Sequence, residues 1–209
     1  MDLFRYTLLA DGSSDEALIP IINWLIGEHF PDARILPAFA RELRTVGNGL
    51  LERVNEALRN FPCDLLFVHR DAEGMLRANR VVEIEHIMQG VEVPYVPLVP
   101  VRMTEAWLLA DETSIRFAAG NQSGKQALDL PNRRQWENLN DPKAVLLSAL
   151  TIATGKTGRR LSKFSPERAR ALVTQRTESF AALRGLEAFD AFESDLIEQL
   201  RKLEQHALD

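Results

Sequence analysis

The sequence predicts an α/β protein with a mostly parallel sheet that is flanked by helices. Segments that suit buried strands alternate with segments whose apolar residues recur at helical spacing, through about the first 110 residues. This order is typical of a parallel sheet with helices on both faces. Polar stretches and helical segments follow. We therefore expect an α/β core over residues 1–112 and a mainly α-helical region over 113–209 that packs on the core.

The first half of the predicted core alternates strictly. The first strand is "LFRYTLLA", and in the following "DGSSDEA" either Ser13 or Ser14 is placed to cap the helix "EALIPIINWLIGEHF". The second strand is "ARILPAFA", whose proline favours an edge position. The next helix, "GNGLLERVNEALRNF", has its apolar residues on one face. The third strand, "CDLLFVH", is apolar almost without a break, which indicates burial on both sides.

The pattern loosens after the third strand. A helix, "RANRVVEIEHIMQG", ends at Gly90, and "PYVPLVPVR" is a fourth extended segment. Thr104 is expected to cap a short helix in "TEAWLLADE". Residues 112–141 are polar and expected to be loop-like, "DPKAVLLSALTIA" starts a helix, and the last segment, from "TESFAALRGLEAF" onward, is expected to be helical to the end.

The composition predicts a cytoplasmic protein with no membrane partner. Of the 209 residues, 45% are hydrophobic and 26% are charged, which is ordinary globular usage. The single cysteine, Cys63, excludes an internal disulfide framework and fits a reducing compartment. The N-terminus does not resemble a signal peptide, and no apolar run approaches the ~20 residues that a membrane helix needs.

Acidic residues follow three of the predicted strands. Asp11 follows the first strand, Asp71 and Glu73 follow the third, and Glu105 lies just beyond the fourth. Because the carboxyl ends of parallel strands share one edge, these carboxylates are expected to converge there. Converging carboxylates repel one another unless a cation neutralises them, and oxygen ligands suit Mg²⁺ or Mn²⁺. The pattern predicts a divalent-metal site, although each acid alone could instead stabilise a helix N-terminus.

A basic segment interrupts an otherwise acidic chain. The net charge is −5, yet "GKTGRRLSKFSPERAR" contains six basic residues and one acidic residue. We expect Gly155 to Lys163 to form an exposed or mobile loop. It either contacts the nucleic-acid backbone or is ordinary solvated surface. The candidate nucleic-acid-binding residues are Lys156, Arg159, Arg160 and Lys163.

The motifs "ADGSSDEALI" and "FVHRDAEG" resemble the Toprim family, which occurs in topoisomerases, primases and OLD-type nucleases. That family has a glutamate-glycine pair after the first strand and a D-x-D motif after the third. Here Asp11 stands in place of the glutamate, and Glu73 in place of the second aspartate. Together with "VRMTEAWLLAD", the resemblance covers about residues 5–112. The three motifs together are most similar to those of an uncharacterised bacterial group that is often associated with ATPases in phage-defence loci.

The resemblance implies a metal-dependent phosphodiester hydrolase or phosphoryl-transfer enzyme, such as a nuclease, that acts on nucleic acid or nucleotides. Asp71, Glu73 and Glu105 would hold Mg²⁺ or Mn²⁺, and Asp11 would act as general acid/base or complete the metal shell. Asp11, Asp71 and Glu73 are thus the candidate catalytic residues.

The two residues before Asp71 each allow two interpretations. His69 is either a proton carrier or a hydrogen-bonded histidine at the end of a strand. Arg70 either contacts a phosphate or neutralises Asp71.

Two other functions remain open. Receiver-type signalling domains also have acids after the first and third strands, and Thr104 would suit their hydroxyl after the fourth strand. Such domains normally have adjacent acids after the first strand and a lysine after a fifth strand, and neither is evident here. The other possibility is a non-catalytic subunit that binds an ATPase through its C-terminal helices.

Overall fold

The computed structural model describes residues 3–41, 43, 49–72 and 74–206. It confirms the α/β fold with a parallel sheet that is flanked by helices. The four strands have the order β2-β1-β3-β4, and each neighbouring pair is parallel. The strands are β1 (Phe4–Leu9), β2 (Ile35–Ala40), β3 (Leu65–His69) and β4 (Tyr95–Leu98).

Helices make up most of the remaining described structure. The α-helices are α1 (Ile19–His29), α2 (Leu50–Asn60), α3 (Arg77–Met88), α4 (Glu112–Ala118), α5 (Pro142–Ala153), α6 (Gly158–Leu161), α7 (Pro166–Arg176) and α8 (Glu187–His206). The short 3₁₀ helices are Ser13–Leu18, Thr104–Ala110, Arg133–Asn138 and Ala181–Leu183. No helix within these described ranges is both long enough and apolar enough to cross a membrane.

The two faces of the sheet are buried in separate hydrophobic clusters. Side chains alternate along β3, so Leu65 and Phe67 enter the larger cluster while Leu66 and Val68 enter the smaller one. Helices α1 and α8 contribute to the larger cluster, and α2 and α3 contribute to the smaller one. Since α1 covers one face and α2 covers the other, the chain changes direction between β1 and β3. In open parallel sheets, ligands bind at this switch point.

Aromatic side chains join the C-terminal helices to the sheet. The Trp107 ring lies 5.3 Å from Phe189 and 6.1 Å from Phe192, between ring centroids. Phe192 also lies 6.1 Å from Phe67 of β3. All four side chains are fully buried. Helix α8 therefore shares a core with the strands. The boundary at residue 112 itself stays a prediction.

Several local predictions were wrong in detail. Residues 112–141 are not all loop, because α4 forms there with Asp111 as its cap, accepting a 2.8 Å hydrogen bond from the Thr113 N–H. The last segment is not continuously helical, since Gly185 has a φ of 89°, which interrupts it before α8. Gly12 and Met103 occupy the cap positions that were predicted for the serines and for Thr104.

Candidate acidic site at the carboxyl ends of the strands

The sheet brings the ends of β1 and β3 side by side. Leu9 and Val68 are paired in these parallel neighbours, so Asp11 and Asp71 follow strands that end at the same edge. Thr104 and Glu105 reach this edge after β4. The position of Asp11 and Asp71 at one edge agrees with the prediction. Their contacts, however, divide the acids into two groups.

His69 is the centre of the first group, which we call the His69 cluster: Asp15, His69, Asp71, Thr104 and Glu105. The His69 side chain is fully buried at the end of β3. Its Nδ1 lies 3.0 Å from the Leu98 carbonyl oxygen, which can only accept, so this contact requires a hydrogen on Nδ1. Its Nε2 lies 3.6 Å from Asp71 Oδ1 and 3.7 Å from Asp15 Oδ2. Buried imidazole thus faces two carboxylates.

Asp71 is held by the start of the 3₁₀ helix Thr104–Ala110. Its Oδ1 accepts a 3.1 Å hydrogen bond from the Thr104 backbone N–H and lies 3.4 Å from the Thr104 hydroxyl. Burial raises the pKa of Asp71 to about 6. A positive charge on His69 opposes this rise, whereas the negative charges of Asp15 and Glu105 add to it. The carboxylate of Asp71 is therefore poorly solvated and close to other negative charge.

Asp15 belongs to the site although the sequence did not identify it. Asp15 is only 9% exposed, and its Oδ2 accepts a 2.9 Å hydrogen bond from the Gly12 N–H. The 3₁₀ turn after β1 directs this side chain back toward the cap, as in a capping box. The spacing in "DGSSD" was the available signal. An acid three residues after a cap can turn back toward the strand end.

Glu105 is also nearly buried, and it is neutralised from another element. Its carboxylate forms an ion pair with Arg170 of α7, and both side chains are at most 14% exposed. This contact ties the C-terminal helical region to the edge of the sheet. Arg170 was counted in the basic segment but was not predicted to lie at the site.

Asp11 belongs to the second group, which consists of Asp11, Arg53 and Arg70. The Asp11 side chain is 45% exposed, and Arg53 of α2 donates a hydrogen bond to Oδ1. Arg70 Nε lies 2.8 Å from Asp11 Oδ2. Arg70 therefore pairs with Asp11. Its predicted role of neutralising Asp71 is not what the structure shows. Two guanidinium groups neutralise Asp11, so repulsion between Asp11 and the other acids gives no reason for a cation here.

The predicted metal ligands do not form a complete set in the described structure. Glu73 lies outside the described residues. Among residues 3–41, 43, 49–72 and 74–206, no group of at least three histidine, cysteine, aspartate or glutamate side chains is arranged so that it could hold a metal ion. Mg²⁺ or Mn²⁺ therefore stays a prediction.

The basic segment is exposed, as predicted, but it is not entirely a loop. Helix α6 forms within it, and its four candidate residues are exposed: Lys156, Arg159, Arg160 and Lys163. The Lys156 ammonium lies 5.7 Å from the centre of the Phe164 ring. Helix α7, which follows directly, contacts the 3₁₀ helix Ser13–Leu18 and carries Arg170. The basic surface is thereby connected to the acidic site through α7.

Comparisons with protein families, with curated proteins and with solved structures gave no match. The function of the chain is therefore inferred from its own residues and geometry.

Proposed function

We propose that the protein is a metal-dependent enzyme of Toprim type that hydrolyses phosphodiester bonds or transfers phosphoryl groups in nucleic acid or nucleotides. One observation carries this proposal. Asp15 and Asp71 face the buried His69 at the switch point of a parallel sheet. Burial, together with the negative charges of Asp15 and Glu105, raises the pKa of Asp71 to about 6. A carboxyl group whose pKa is strongly raised in such a position is typical of a functional site.

The site offers oxygen donors of the kind that a hard divalent cation takes, although the described residues do not hold them in a metal-binding arrangement. Asp71 and Asp15 would hold Mg²⁺ or Mn²⁺ through carboxylate oxygens, which both ions prefer. Glu105 would join them after releasing Arg170, and Glu73 follows Asp71 closely enough in the sequence to contribute. When bound, the metal would stabilise the charge that develops on the phosphate and orient a water molecule. This assignment moves the main role after β1 from Asp11 to Asp15.

The chain's own residues supply orientation and proton transfer. The Thr104 N–H fixes Asp71 through Oδ1, so Oδ2 is the oxygen that would face a ligand. The Leu98 carbonyl fixes the His69 ring so that Nε2 faces the carboxylates, where it would hold or release a proton. The exposed basic residues of α6 would contact the phosphate backbone of a nucleic acid.

The sharpest test combines metal binding with turnover. We expect Mn²⁺ to raise the melting temperature of the wild type, because binding only to the folded state stabilises it. We also expect Mn²⁺-dependent cleavage of an activated phosphodiester or of single-stranded nucleic acid. Asp71→Asn and Asp15→Asn should abolish both effects. Asp64→Asn, which removes an arginine-paired acid at the opposite edge of the sheet, should leave both intact. Metal-independent cleavage, or cleavage that survives Asp71→Asn, would contradict the proposal.

A non-catalytic subunit of an ATPase, for example in phage defence, is the second candidate. The observation that favours it is that arginines already neutralise Asp11 and Glu105. In that case, the wild type would fold equally well with or without Mn²⁺ and would cleave nothing. A receiver-type phosphoacceptor is less well supported. Thr104 does contact Asp71, but the described residues form four strands and therefore provide no lysine after a fifth strand.

A further inference from the structure

A cavity close to the His69 cluster has two arginines in its lining. It has a volume of about 510 Å³ and lies beyond the carboxyl ends of β1 and β2, with Asp11, Ser13, Arg41 and Arg53 in its lining. Cavities of this size accommodate small-molecule ligands. Among the residues that the structure describes, two arginines and one aspartate line it, and their charges sum to a net positive charge.

Arg53 is held in place at the cavity wall. Its side chain is only 20% exposed, and its guanidinium donates to both the Asp11 carboxylate and the Ala10 carbonyl oxygen. A guanidinium that is fixed in this way loses little conformational freedom when it binds an anion, and its planar fork matches phosphate oxygens. Arg41 lies at the same cavity with a more exposed side chain and an ion pair to Glu16.

Asp11 has two cationic partners, so it could release one of them. Arg70 Nε lies 2.8 Å from Asp11 Oδ2, yet this buried N–H forms no well-directed hydrogen bond to any described residue. A buried donor whose acceptor is poorly aligned is only weakly satisfied. If an external anion took over Arg53, the Asp11 carboxylate could turn to Arg70 and satisfy this N–H while remaining neutralised.

We propose that this cavity binds a phosphate group of a nucleotide or oligonucleotide through Arg53, assisted by Arg41. Asp11 is then an internal anion that keeps Arg53 in position and competes with the phosphate. This inference rests on the proposed function for its substrate class, and it gives the acid after β1 a role other than general acid/base or metal ligand. The phosphate would lie next to the His69 cluster, since Asp11 directly precedes Gly12, whose N–H donates a hydrogen bond to Asp15.

The test is calorimetric titration of the full-length chain in EDTA. Probes are inorganic phosphate and a short oligonucleotide with or without a 5′ phosphate. The salt concentration is about 0.15 M, where charges more than ~8 Å apart are largely screened. Because no metal is present, a failure here leaves the metal-dependent reaction untouched. Conversely, loss of the metal effect would not alter phosphate binding.

We expect Asp11→Asn to bind phosphate about tenfold more tightly than the wild type, since the competing anion is removed. Arg53→Gln should bind about tenfold more weakly or not measurably. Asp64→Asn, which removes an arginine-paired acid at the opposite edge, and Arg59→Gln, which alters an exposed arginine of the same helix, should change affinity less than about twofold.

A gain of affinity in Asp11→Asn cannot arise from misfolding, so it keeps the test valid even if Arg53→Gln is unstable. The probe whose affinity depends on both Asp11 and Arg53 identifies the source of the phosphate, terminal or internal. Unchanged or weaker binding by Asp11→Asn for every probe would overturn the proposal. So would an Arg59→Gln loss equal to that of Arg53→Gln.

Discussion

Asp71 is a residue whose charge opposes folding. Its side chain is 28% exposed and lies within reach of the negative charges of Asp15 and Glu105. Burial and this repulsion raise its pKa from 3.8 to about 6, so the folded state keeps the Asp71 proton at pH values where the unfolded chain has lost it. Protonated Asp71 therefore stabilises the fold relative to charged Asp71. This stabilisation is fully present below about pH 4 and is lost as the pH rises to about 6.

Asp71→Asn should thus increase the free energy of unfolding in a pH-dependent manner. Above pH 6, we expect a gain of about 2–3 kcal/mol in the absence of metal, because the variant carries no charge to desolvate. Below about pH 4, the gain should vanish. Urea unfolding across this pH range measures it.

The control for this experiment is Asp64→Asn. Burial alone would raise the pKa of Asp64, but the Arg5 hydrogen bonds outweigh burial and lower it. Asp64→Asn should therefore destabilise the protein at neutral pH, and this destabilisation should disappear in acid. A destabilised Asp71→Asn variant at pH 8 would mean that Asp71 mainly caps the helix that begins at Thr104.

At the scale of elements, α6 and α7 connect the basic surface to the His69 cluster, although the basic residues lie far from the acids in the sequence. Helix α6 exposes basic side chains, and α7 packs against the 3₁₀ helix Ser13–Leu18, where Asp15 lies. Arg170 of α7 reaches Glu105. A nucleic acid that contacts α6 would therefore approach the His69 cluster along α7.

Charge reversal on α6 tests this arrangement. If Arg159 and Arg160 contact phosphates, Arg159→Glu with Arg160→Glu should weaken nucleic-acid binding and reduce the slope of log K against log salt by about 2. The matched control reverses the adjacent basic pair Arg201 and Lys202, which is exposed on α8. An unchanged salt slope in the α6 variant would leave this segment as ordinary solvated surface.

At the scale of the whole molecule, one aromatic core joins the sheet to the C-terminal helix α8. Phe192 of α8 lies within 6.1 Å of both Phe67 and Trp107, measured between ring centroids. The strands and the C-terminal helices therefore bury each other's apolar surface. Although the sequence suggested a core at 1–112 and an appended region, a shared core predicts that the two parts unfold together.

Phe192→Ala should destabilise the entire protein. We expect a loss of about 3–5 kcal/mol, which is typical of removing a buried phenylalanine, in a single cooperative transition. Leu172→Ala on α7 is the control, because Leu172 is 43% exposed and should cost no more than about 0.5 kcal/mol. Two separate transitions, with the strands stable after the helices melt, would show that the C-terminal region is an independent unit.

The sequence by itself determined the parallel α/β fold and the edge at which Asp11 and Asp71 lie. Both follow from local patterns, because apolar periodicity defines the strands and a parallel sheet brings their carboxyl ends together. Only the tertiary structure decided which charges meet. Side-chain partners depend on contacts between residues far apart in the chain, such as Arg53 with Asp11 or Arg170 with Glu105. For the same reason, the sequence did not identify Asp15 as part of the His69 cluster and wrongly grouped Asp11 with the other acids. The segment after β1 directs these two acids to different partners.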